Sequence, residues 1–353
     1  MTTSTFVKQE LADDRRYHPN LGGVTRGGLA NHYPMTLLAL HGLGASDAEV
    51  RAFRNRWGRH RAKVDDLGLV DRGELTIENW PSFLGKPERL LELRRVFTAW
   101  LTTTPTDVVI REALATMRDA LPMGLFHPLI RLAFANDERD VGLVADALAY
   151  MAIRHADLLH APALPVGGST APEAVWARIA KREVALPELW QGGSLRVCEQ
   201  LCGDRVLQDA ALPADIDLAI PKICRLALRL YLHEPALTTL HAVTSAQALA
   251  QLTNNRALWA RYWVWLTALY VEKGRPALLP DAVASDTPTR DWPTLAAEAR
   301  TLPEVHLVKM TYTCRWLDAH FGPEPLYRLA VENMVREGNA QPRDIEGATI
   351  APL

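Results

Sequence analysis

Apolar side chains recur three and four positions apart through most of the chain, which is the spacing of one face of an α-helix. Strict alternation of apolar and polar positions occurs only in short, isolated stretches. One periodic segment ends at Pro122, where a proline cannot continue a helix. The clearest periodic sets are Val109, Ala113, Met117 and Ala120; Val144, Leu148, Met151 and His155; and Leu237, Leu240, Thr244, Ala248 and Leu252. The pattern predicts an all-α fold, a single-domain multi-helix bundle.

Proline and glycine mark the connections between these segments. The two longest connections are residues 162–172 and 273–293, and neither contains a charge run or low-complexity composition. We therefore interpret them as loops within one domain that spans residues 1–353. Residues 1–20 and 338–353 are polar, and we predict that they form extended arms.

Composition and charge exclude several classes of protein. The chain has 353 residues, 48% of them hydrophobic and 23% charged, which is enough apolar surface for a sizeable core. The formal net charge is −2, and no basic stripe indicates a nucleic-acid partner. No apolar run has the length of a membrane helix, and no Gly-rich dinucleotide fingerprint follows a strand. The polar N-terminal sequence and the cysteines, which lack a zinc-site spacing, predict a cytoplasmic protein with reduced thiols.

Three histidines lie where helices are predicted to begin. His32 follows Asn31, a residue that favours the N-cap, and precedes Pro34. His127 precedes Pro128, and His306 follows the segment Thr301–Glu304, which resembles a capping box with proline in the first turn. The positive end of a helix dipole disfavours imidazolium and favours the neutral, metal-binding imidazole. The alternative is that each ring is an ordinary hydrogen-bonded residue of the core or surface.

Two further residues stand among apolar neighbours on predicted helices. His241 lies within a helix beside small and apolar residues, where an unpaired basic ring is costly. Lys309 shares a helix face with His306, three positions earlier, and that face is otherwise apolar apart from Thr313. A lysine in this position ordinarily extends along the apolar surface and places its amine in solvent.

Six short motifs follow one another in a recognisable order between residues 31 and 309. They are Asn31–Met35 with Leu43–Ala45, Trp80 with Leu84 and Gly85, Leu125–Arg131, Ala145–Tyr150, Leu240–Thr244, and His306–Lys309. In these motifs the chain resembles the questin oxidase-like family, whose founding members act on anthraquinones in fungal polyketide pathways. The resemblance implies an oxidoreductase with an α-helical fold. The family was first described as performing Baeyer–Villiger-type oxygen insertion. One branch is understood as non-haem iron dioxygenases that open an anthraquinone ring.

The resemblance also implies a ligand set. In that branch four histidines and a carboxylated lysine hold the iron, and by motif they correspond to His32, His127, His241, His306 and Lys309. The chain departs from the family at His41, where an aromatic residue is frequent, and at His155, where we expect tyrosine. His155 remains an alternative to His306 as the fourth histidine ligand.

The chemistry of this ligand set is consistent with iron. Imidazole suits Fe(II), and CO2 added to the neutral amine of Lys309 gives a carbamate, an anionic oxygen ligand. We therefore predict an iron(II)-dependent oxygenase that acts with O2 on a polycyclic aromatic phenol or quinone. Participation of an external reductant such as NADPH is left open. The alternatives are a zinc-dependent hydrolase and a non-catalytic helical protein that binds an apolar ligand. Analysis of the bound metal distinguishes these three.

Overall fold

The computed structural model describes residues 3–24, 29–57, 61–155, 171–181, 215–277, 288–302 and 304–340. Over these residues the chain forms 14 α-helices, four short 3₁₀ helices and no β-strand, which confirms the all-α fold. The helices are α1 Thr5–Asp14, α2 Tyr33–Gly42, α3 Asp47–Trp57, α4 Leu90–Thr103, α5 Thr106–Thr116, α6 His127–Glu138, α7 Val141–Arg154, α8 Pro172–Ala180, α9 Ile216–His233, α10 Leu237–Leu252, α11 Arg256–Glu272, α12 Trp292–Thr301, α13 Val305–Phe321 and α14 Pro325–Ala340. No helix among them is both long enough and apolar enough to cross a bilayer.

The helices belong to two compact units. The first unit comprises Met1–Leu69 and Ala282–Leu353, and the second comprises Val70–Asp281. One boundary falls in the stretch 273–293, whose composition predicted a loop within a single domain. The single-domain interpretation stays a prediction.

The first unit joins the two ends of the chain. Helices α1, α2 and α3 pack on one another, and α2 also packs against α13, which in turn contacts α12 and α14. Residues 33–40 of α2 are all buried, because α2 has neighbours on several sides. This packing brings the start of α2 close to the first turns of α13.

The second unit is a sequence of packed helices. Helix α4 packs on α7, α7 on α6, α6 on α10, and α10 on both α9 and α11. Helix α11 carries three tryptophans, Trp259 in its first turn and Trp263 and Trp265 near its centre, and all three are buried core residues. The contact between α6 and α10 brings together His127 and His241, two of the predicted ligands.

The predicted periodic segments correspond to α5, α7 and α10, although α5 ends at Thr116, short of Met117 and Ala120, and α7 ends at Arg154, one residue before His155. The arms also differ from prediction. Residues 5–14 are helical rather than extended, because Ser4 accepts a hydrogen bond from the Val7 N–H and because Val7 and Leu11, four positions apart, are buried on one face. At the other end α14 continues to Ala340, so residues 338–340 are helical, and residues 341–353 lie outside the described part.

Candidate functional site

A buried polar network fixes the start of α2, where His32 lies. The Asn31 side chain accepts a hydrogen bond from the Tyr33 N–H at 3.1 Å and donates to the Asp14 carboxylate at 3.0 Å. His32, and not Asn31 as the sequence suggested, occupies the N-cap, and its side chain makes no capping hydrogen bond. Pro34 occupies the second helical position, where its missing N–H costs nothing. The predicted placement of His32 at a helix start is confirmed.

His306 lies in the first turn of α13, but the cap differs from the predicted capping box. Thr301 ends α12, and its hydroxyl donates to the Glu298 carbonyl within that helix, so it cannot cap α13. Glu304 is the N-cap instead, because its carboxylate accepts hydrogen bonds from the backbone N–H groups of His306 and Leu307 at 3.0 and 2.5 Å. The same carboxylate accepts from the His306 Nδ1 at 3.0 Å. Burial, together with the charge of Lys309, lowers the pKa of His306 despite the opposing effect of Glu304.

Lys309 is buried within the first unit. Its side chain is 2% exposed, so the interpretation that its amine reaches solvent is wrong. The Nζ atom lies 3.1 Å from the Nδ1 of His32, and the rings of His32 and His306 meet edge to face at 4.9 Å between centroids. Burial lowers the pKa of Lys309 to about 7, although the Glu304 charge opposes the shift. The packing of α2 on α13 thus gathers three of the five predicted ligands in one place.

In the second unit, an unusual backbone conformation precedes His127. Gly124, Leu125 and Phe126 all have positive φ, at 58°, 54° and 61°, a region that disfavours residues with a Cβ. The ring of Phe126 packs 4.5 Å from that of Trp265, a buried contact that offsets part of this strain. The resulting turn places the Gly124 carbonyl oxygen 2.5 Å from the His127 Nδ1.

His127 and His241 face each other across the contact between α6 and α10. The His241 Nδ1 lies 2.7 Å from the Leu237 carbonyl oxygen, one turn earlier in α10. Carbonyl oxygens only accept, so both rings donate from Nδ1, and the neutral form of each has its lone pair on Nε2. The two Nε2 atoms lie 3.1 Å apart, and His241 is fully buried. A shared proton or a metal ion stabilises two such lone pairs at this distance.

The structure therefore gathers the predicted ligands in two groups. His32, His306 and Lys309 come together in the first unit, and His127 and His241 come together in the second. His155, the alternative ligand, is the C-cap of α7 rather than a member of its apolar face, and it is partly exposed.

Two supporting residues were missed or misassigned from the sequence. The sequence did not indicate the turn at Gly124, because leucine and phenylalanine, the residue types at positions 125 and 126, rarely adopt positive φ. Glu304 was assigned to a capping box, yet its spacing two positions before a histidine already allowed the side-chain contact that the structure shows.

Comparison with known proteins identifies the family to which the chain belongs. The family model described as questin oxidase-like matches residues 29–217 and 232–314. The chain therefore belongs to the questin oxidase-like family, and membership implies an oxidoreductase. The matched segments include all five predicted ligands. No curated protein matches the chain.

Proposed function

We propose that this protein is a non-haem iron(II)-dependent oxygenase that acts with O2 on a polycyclic aromatic phenol or quinone of the anthraquinone type. The observation that carries the proposal is the pair of Nε2 atoms of His127 and His241, 3.1 Å apart with both Nδ1 atoms held by carbonyl oxygens. Two nitrogens at about 2.2 Å from one ion, with an angle of about 90° between them, lie about 3.1 Å apart. That bond length is slightly longer than the roughly 2.0–2.1 Å of a zinc–imidazole bond.

The donor chemistry fits iron. Imidazole nitrogen suits divalent iron, copper, nickel and zinc. Membership in an oxidoreductase family argues for a redox-active ion over zinc, and among the redox-active ions we propose iron. Lys309 supplies a buried amine with a lowered pKa, and a neutral amine is the form that adds CO2 to give a carbamate. His32, His127, His241, His306 and the carbamate of Lys309 would then hold the ion, which supplies the electrons that activate O2.

The residues of the chain itself orient and protect this chemistry. The Nδ1 hydrogen bonds fix the planes of the His127 and His241 rings, so neither ring has to reorganise when a ligand arrives. The helix starts at His32, His127 and His306 disfavour imidazolium. Burial and the charge of Lys309 also lower the pKa of His306, which favours its neutral ring. Burial of His241 and Lys309 excludes water from the ligand atoms.

Metal analysis combined with oxygen consumption tests the proposal. Protein loaded anaerobically with Fe(II) is expected to hold iron and to consume O2 when a hydroxylated anthraquinone is added. The variants H127A and H241A are expected to lose both properties, since each removes one of the paired nitrogens. The control is H320A, which removes an exposed ring that stacks on Trp316. Tight zinc binding with hydrolytic activity, or no metal binding at all, would contradict the proposal.

A further inference from the structure

Glu304 makes three contacts at the start of α13, and only two of them serve the helix. Its carboxylate accepts from the backbone N–H groups of His306 and Leu307, and it also accepts from the His306 ring at Nδ1. We infer that Glu304 is a positioning residue that holds the His306 ring with its proton on Nδ1 and its Nε2 available to a ligand. The inference rests on the proposed function only where it names that ligand as a metal ion.

The tautomer follows from the donor and acceptor roles. An ionised carboxylate has no hydrogen to donate, so the ring nitrogen that bonds to it must carry the proton. Both oxygens of the Glu304 carboxylate already accept from backbone N–H groups, of His306 and of Leu307, so the carboxylate is placed as an acceptor. A neutral ring with Nδ1–H carries its lone pair on Nε2.

His306 lies too near the start of its helix for the contact that orients His241. His241 donates from Nδ1 to a carbonyl four positions earlier in its own helix. His306 is the second residue of α13, which begins at Val305, so the residue four positions earlier lies outside the helix. The N-cap carboxylate of Glu304 takes the place of that carbonyl.

The same contacts argue against a role for Glu304 as the anionic ligand. Its two oxygens accept three hydrogen bonds from N–H donors, two of which would otherwise be unsatisfied at the helix start. A metal would have to compete with those donors for the carboxylate. Carboxylates that bond to a ligating imidazole in this way commonly orient the ring, and their loss weakens metal binding.

The test replaces the carboxylate with a cap that cannot reach the ring. In E304S the hydroxyl still caps the helix, because serine is a favoured N-cap residue, but it is too short to contact the His306 Nδ1. The matched control is D291S, since Asp291 caps α12 by accepting from the Thr294 N–H at 2.9 Å, a contact that involves no histidine. Nitrogen-15 NMR of the metal-free proteins reports the His306 tautomer, and anaerobic competition with a chelator reports Fe(II) affinity.

We expect E304S to lose the strict Nδ1–H tautomer and to bind Fe(II) about 10- to 100-fold more weakly, and D291S to change neither. If E304S keeps both the tautomer and the affinity, Glu304 is only a helix cap and the inference is wrong. If the unmodified protein binds no Fe(II), the proposed function fails, and the tautomer in metal-free E304S still decides whether Glu304 positions the ring.

Discussion

At the scale of single residues, the four predicted histidine ligands divide by what their Nδ1 atoms contact. Three of them bond to an oxygen: His127 to Gly124, His241 to Leu237 and His306 to Glu304. The Nδ1 of His32 instead faces the Nζ of Lys309 at 3.1 Å. A protonated His32 would place a second positive charge 3.1 Å from the amine of the buried Lys309, so this contact disfavours simultaneous protonation of the two.

Replacement of Lys309 tests its role as a ligand. K309A is expected to lose most bound iron and O2 consumption, because it removes the only anionic ligand of the proposed set, and K309E is expected to recover part of both. Metal loading without bicarbonate should weaken iron incorporation in the unmodified protein and not in K309E. The control is K273A, which removes another largely buried lysine, one that pairs with Glu234 in the second unit. Full iron content in K309A would rule out the carbamate.

Lys309 also predicts how the stability of the metal-free protein depends on pH. The pKa of Lys309 falls from 10.5 to about 7 on folding, so between these values the unfolded chain binds more protons than the folded one. The free energy of unfolding should therefore rise as the pH increases from about 7 towards 10.5, by at most about 5 kcal/mol. Urea denaturation across this range measures the rise, and K309M should lack this part of it. A parallel pH dependence in both proteins would show that Lys309 does not titrate in this way.

At the scale of helices, the sequence predicts where a helix begins and which face is apolar when neighbouring residues alone determine these features. Pro34 and Pro128 indicated the starts of α2 and α6, and the apolar spacing of residues 237–252 matches α10 to the residue. The cap of α13 was misassigned because Thr301 can either end one helix or begin the next. The burial of Lys309 was not predictable either, because it depends on packing between α2 and α13, which are more than 260 positions apart.

The turn before α6 provides a test of how strongly local backbone controls His127. G124A should destabilise the protein by about 1–2 kcal/mol from the positive φ alone. A Cβ at Gly124 would also lie 3.0 Å from the Arg154 guanidinium. G68A is the matched control, because Gly68 has φ of 63° with nothing within 4 Å of an added Cβ. We expect G124A to cost more than G68A in thermal denaturation, and only G124A to weaken Fe(II) binding. Equal costs and unchanged binding would show that the turn does not position His127.

At the scale of the whole molecule, the predicted ligands are divided unequally between the two units. The first unit is built from both ends of the chain and carries His32, His306 and Lys309, whereas the second carries His127 and His241. A ligand set divided in this way was predicted to hold one ion, and that convergence stays a prediction. Binding of one ion by both groups would have a thermodynamic consequence. An ion that binds only the folded state stabilises every part of the protein whose folding the binding requires.

Stoichiometry and stability together decide whether one ion uses both groups of ligands. If it does, the protein should bind one Fe(II) per chain, and H32A and H127A should each abolish tight binding. Fe(II) at about 100 times its Kd should raise the free energy of unfolding by about 2.7 kcal/mol in the unmodified protein, and by little in either variant. Anaerobic calorimetry gives the stoichiometry, and denaturation with and without Fe(II) gives the stabilisation, with H320A as the control. Two ions per chain, or a variant that loses only half of the bound metal, would mean that each unit binds its own ion. The five residues would then belong to two separate sites, and the proposed oxygenase would have to use only one of them.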